Sequence, residues 1–116
     1  MKKGDLRCGS CRYCFSIHED DIKKAKIGMD FAREAVKSGD YDLIILDEIN
    51  VAIYSKVVEK QEVIDLIKSK KPELEMVLTG RGAPKEIIEL ADLVTEMKAV
   101  KHPFDSGVEA RLGIDF

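Results

Sequence analysis

Apolar residues along this chain change their period several times, and each change marks an element. Ile22, Ala25, Met29, Ala32 and Val36 recur at steps of three and four, which predicts a helix over 17–38 with one apolar face. Ser16 and Glu19 have the spacing of a capping box at its start. Gly39 follows Ser38 and is free to take the left-handed conformation that ends a helix. Leu43 to Leu46 then form a continuous apolar block, which predicts a parallel strand over 42–47 covered by helices on both faces. The helical period returns with Val58, Val63, Ile64 and Ile67, predicting a helix over 58–70. Lys68, Lys70 and Lys71 suit its C-terminal dipole and Pro72 stops it. Glu75–Thr79 predicts a second buried strand, Pro84 opens a short helix over 84–91, and Leu93–Glu96 predicts a third small strand. From Lys98 to Phe116 there is no period; an ordered, packed loop with a strand-like end is expected.

The predicted order α-β-α-β-α-β implies an α/β domain with a parallel sheet and right-handed crossovers. A sheet of three apolar strands leaves an open edge, so a partner chain or a homo-oligomer is expected. At 116 residues the chain suits one domain, with a cysteine-rich segment over 1–15 ahead of the α/β part over 16–116. At 45% hydrophobic and 35% charged residues the composition is that of an ordinary globular protein. A net charge of −3 argues against nucleic acid or an anionic membrane as the main partner. No apolar run reaches the length of a membrane span and the N-terminus lacks a signal-peptide core, so a cytoplasmic protein is expected.

The chemistry concentrates at strand ends. Asp47 and Glu48 close the first strand at its C-terminal end, where open α/β sheets bind ligands. This is the layout of a Walker-B segment, whose acid holds the Mg²⁺ of a bound nucleotide. None of the eight glycines precedes Lys and then Ser or Thr, so the matching phosphate loop is expected to be missing from this chain. The competing reading is a pair of solvated acids. Thr79, Gly80 and Arg81 end the second strand on the same sheet edge. There an Arg can fork onto phosphate oxygens, or can be an exposed residue of a strand-to-helix turn. Asn50, just past the acids, suits a nucleotide contact or a cap.

Cys8, Cys11 and Cys14 lie within seven residues, too few and too close for a secreted disulfide framework. With His18 they have the spacing of an iron–sulfur run or a tetrahedral zinc site. Free thiols are the alternative, because the usual Pro after the fourth ligand is absent and the ligands are not split into two pairs.

Three segments together carry a family resemblance: YDLIILDEINVAI (41–53), VLTGRGAPKEIIELADLVTEM (77–97) and VKHPFDSGVEARLGIDF (100–116). They resemble the C-terminal part of the P-loop-type ATP:corrinoid adenosyltransferases. That resemblance implies a P-loop NTPase (RecA-like) sheet truncated at its N-terminus, with ATP and a corrinoid as substrates. It implies Glu48 as the Mg²⁺ ligand with Asp47 in or beside the first shell. It also implies that Lys101, His102, Phe104 and Asp105 pack over the nucleotide or help form a subunit contact. Family members begin with a glycine-rich phosphate loop, which this chain lacks. A partner chain supplying that loop in a split enzyme, a non-catalytic binding module, and a small redox protein built on the cysteines are the alternatives.

Overall fold

The computed structural model describes residues 18–102 and 106–113. Helix α1 runs Glu19–Ser38, strand β1 Leu43–Leu46, helix α2 Ile49–Tyr54, helix α3 Lys60–Ser69, strand β2 Glu75–Leu78 and helix α4 Lys85–Leu90. The two strands pair in parallel, with Leu43 opposite Glu75 and Leu46 opposite Leu78.

The local chemistry explains the boundaries. Ser16, expected as the cap of α1, lies outside the described residues; His18 takes the N-cap position in extended conformation. Its backbone N–H donates to Asp21 Oδ2 at 3.1 Å. Glu19, Asp20 and Asp21 place negative charge where the helix dipole favours it. Gly39 ends α1 at φ 72°, a conformation open to glycine at no steric cost. Helix α3 begins with Glu59 N–H donating to Glu62 Oε2.

All the helices contribute to one core on one side of the sheet. Met29, Ala32 and Val36 of α1, Val63, Ile64 and Leu66 of α3, and Ile49 and Ile87 are buried together. Ile44, Leu46, Met76 and Leu78 pack against them from the sheet. The opposite sheet face is bare: Leu43 is 51% exposed, Ile45 57% and Val77 42%. The expectation of a sheet covered on both faces is therefore corrected. The apolar block is present, but among the described residues no element lies over its second side.

Two further expectations are corrected. Leu93–Glu96 forms no strand; residues 91–102 are irregular and exposed. Among the described residues β1 and β2 pair with each other alone, and this segment docks on neither open edge. Within the tail, residues 106–113 are exposed rather than packed. The six-residue helix α2 was absent from the sequence pattern, because INVAIY is too short and too uniformly apolar to display a period.

Candidate functional site

The parallel register brings both strand ends to one edge, so the turn after β1 and the turn after β2 lie side by side. Thr79 joins them. Its N–H donates to Leu46 O at 3.2 Å, and its carbonyl accepts from Asn50 N–H at 3.2 Å. Its hydroxyl donates to Asp47 Oδ1 at 2.9 Å and accepts from Glu48 N–H at 2.8 Å.

Glu48 stands in the left-handed region at φ 55°, ψ 26°, and forms the N-cap of α2. For a residue with a Cβ this costs about 1–2 kcal/mol. The surrounding hydrogen bonds offset that cost, since Val51 and Ala52 N–H both donate to Glu48 O. The tight turn leaves both carboxylates exposed at the sheet edge. No pair or hydrogen bond is made by the Glu48 carboxylate among the described residues.

Asn50 is 5% exposed. Its Nδ2 donates to Gly80 O at 3.0 Å. Its Oδ1 is buried with no hydrogen-bond partner among the described residues, an arrangement costing about 1–3 kcal/mol when nothing fills it. Gly80, at φ 118°, sits against this side chain: a Cβ there would lie 3.1 Å from Asn50 Cβ and 3.3 Å from Glu48 Cα. Only glycine lets the two turns approach so closely. Arg81 follows on the surface with no ion pair among the described residues.

The edge thus gathers Asp47, Glu48, Asn50, Thr79, Gly80 and Arg81, which the sequence had placed at two separate strand ends. The Thr79 bridge between them had no signal beyond its position. Lys101 and His102 are exposed, while Phe104 and Asp105 lie outside the described residues. So do Cys8, Cys11 and Cys14; His18 Nε2 is buried without a partner at the start of α1. Among the described residues no three His, Cys, Asp or Glu side chains gather as a metal cluster, and no helix is long and apolar enough to cross a membrane. A groove lined by Arg33, Val36, Lys37, Glu62, Asp65 and Leu66 shares no residue with the acidic edge.

An acid pair and a Gly-Arg turn thus share one carboxyl edge of a parallel sheet, the edge at which open α/β sheets bind ligands. A profile of the family described as ATP:corrinoid adenosyltransferase BtuR/CobO/CobP matches residues 7–116, and the chain belongs to that family. A corrinoid adenosyltransferase of Sinorhizobium sp. is 40% identical over 97 residues, covering 83% of this chain and 45% of the relative. One from Pseudomonas aeruginosa is 38% identical over 96 residues, covering 83% and 47%. One from Escherichia coli K12 is 32% identical over 98 residues, covering 84% and 50%. The chain spans about half the length of these relatives, and the match falls on their C-terminal part.

Proposed function

We propose that this chain supplies the acidic edge of an ATP:corrinoid adenosyltransferase, in which the 5′-deoxyadenosyl group of ATP passes to the cobalt(I) of a corrinoid. The observation that carries the reading is the shared edge of Asp47, Glu48 and Arg81 in a chain of this family. Cobalt(I) is the nucleophile: its electron pair forms the bond to C5′, the C5′–O bond breaks, and triphosphate leaves. No side chain is needed as base or nucleophile, so the protein's contribution is positioning and charge neutralisation.

Mg²⁺ fits the donors on this edge. The ion takes one or two carboxylates and fills its other positions with water and phosphate oxygens. Asp47 and Glu48 provide that number of hard oxygen ligands, and the empty Asn50 Oδ1 can accept a hydrogen bond from a bound water. When bound, Mg²⁺ neutralises charge building on the leaving triphosphate. Arg81 is free to fork onto phosphate oxygens beside it. Gly80 and Asn50 complete this nucleotide-facing edge, and Thr79 joins its two turns.

The remaining phosphate contacts come from a glycine-rich loop that corresponds to the unmatched half of the relatives. The bare face of Leu43, Ile45 and Val77 supports this reading, because an apolar sheet face needs a cover. With that half in place, the sheet is of the P-loop NTPase (RecA-like) type. The test mixes this chain with the unmatched half of the Sinorhizobium relative, produced separately, plus ATP and chemically reduced corrinoid. Light-sensitive cobalt–carbon bond formation is expected only with both polypeptides present. No product from the mixture, with the intact relative active in parallel, contradicts the reading.

A further inference from the structure

Thr79 ties itself to the acid turn through hydrogen bonds with Leu46, Asp47, Glu48 and Asn50. A hydroxyl has one hydrogen to give. Thr79 gives it to Asp47 Oδ1 and uses a lone pair on the Glu48 N–H. What remains is an acceptor, and phosphate oxygens are acceptors too. The hydroxyl is thus poorly suited to hold a phosphate and well suited to hold the carboxylates. Its contact on the Glu48 amide fixes the peptide of a residue at φ 55°, and so the direction in which the Glu48 side chain leaves the backbone.

We infer that Thr79 is a positioning residue that aims Asp47 and Glu48 at a divalent cation, instead of a contact to the nucleotide. This rests on those carboxylates being metal ligands. The peptide that follows Thr79 is Gly80, whose carbonyl holds Asn50 Nδ2, so the bridge also fixes the Arg81 turn relative to the acids. Ligand-orienting partners of this kind are worth roughly tenfold to a hundredfold in metal affinity.

The test titrates the chain with Mn²⁺ alone and follows the electron paramagnetic resonance signal of the free ion. Four proteins are compared: the unsubstituted chain, Thr79→Val, Thr79→Ser and Glu48→Gln. Thr79→Val keeps the shape and loses the hydroxyl; Thr79→Ser keeps the hydroxyl. Thr79→Val is expected to weaken Mn²⁺ binding by about tenfold or more. Thr79→Ser is expected to restore most of it, and the Glu48 amide resonance should shift in the Val variant only. If Thr79→Val binds Mn²⁺ like the unsubstituted chain while Glu48→Gln binds more weakly, the positioning role is overturned and the metal reading stands. If Glu48→Gln also binds normally, the metal reading falls and the inference with it. Should Thr79→Val fail to fold, Thr79→Ala replaces it: a loss of about tenfold in Mn²⁺ affinity supports the role, and unchanged affinity overturns it.

Discussion

Gly80 and Asn50 set the tolerance of the acidic edge. A Cβ at Gly80 would meet the Asn50 side chain and the Glu48 backbone, and φ 118° is itself unfavourable for any other residue. Gly80→Ala should therefore cost about 1–3 kcal/mol and loosen the contact between the two turns. A urea unfolding midpoint reads the first effect, and Glu48 amide exchange the second; an unchanged midpoint would mean the turns yield easily. Arg81→Lys keeps the charge but loses the fork. It should weaken nucleotide use in a complete enzyme while leaving the unfolding midpoint within about 0.5 kcal/mol of the unsubstituted chain. At this scale the sequence was informative about which residues reach the edge, because strand ends and register follow from the apolar blocks. It was silent on the Thr79 bridge and on the left-handed Glu48, since neither leaves a compositional trace.

Among the elements, α3 anchors the core. Val63 and Ile64 were legible from the period; Leu66, also buried, was not, Ile67 is only partly buried, and Val58 is buried ahead of the helix. Leu66→Ala should cost about 2–5 kcal/mol, measured by chemical denaturation; a loss under about 1 kcal/mol would mean that the core beneath α3 collapses around the gap. Arg33 of α1 donates to Glu62 of α3 at 2.7 Å, and Lys60 of α3 to Glu86 of α4 at 3.1 Å. The Glu86 carboxyl is held below its usual range by its own backbone N–H and by Lys60. A lowered carboxyl adds stability above its unfolded pKa, and that stability is lost as pH falls through the folded value. The first turn of α4 and its contact with Lys60 should therefore weaken as pH falls below the ordinary glutamate range, read from amide exchange in α4, and Glu86→Gln should remove that dependence. The apolar block in β1 looked like a strand covered twice. Block composition reports what a strand can bury, and among the described residues only one side of this sheet meets helices. The third strand was misread because composition does not report docking: Leu93–Glu96 has strand composition, but it is irregular and pairs with neither open edge.

At the scale of the whole molecule, two features follow from the bare sheet face. An apolar surface built from Leu43, Ile45 and Val77 favours association. Light scattering at micromolar concentration should give a dimer or larger, and adding the unmatched half of a relative should reduce that self-association. A clean monomer would show that the face is tolerated in water. The chain alone should bind Mg-ATP no more tightly than about 100 μM, equivalent to about −5.5 kcal/mol, because the backbone amides and Lys of a phosphate loop are absent. Calorimetry that found micromolar affinity would mean the nucleotide is held elsewhere.

Glu48, on the acidic edge, is proposed to serve adenosyl transfer. The most direct measurement is the rate of cobalt–carbon bond formation from ATP and reduced corrinoid by this chain reconstituted with a loop-bearing half, compared with Glu48→Gln in the same mixture. Loss of one hard ligand should lower turnover roughly ten- to a thousandfold, with the substituted chain still folded and still assembled with its partner. Equal rates for the two proteins would remove Glu48 from the reaction and contradict the account.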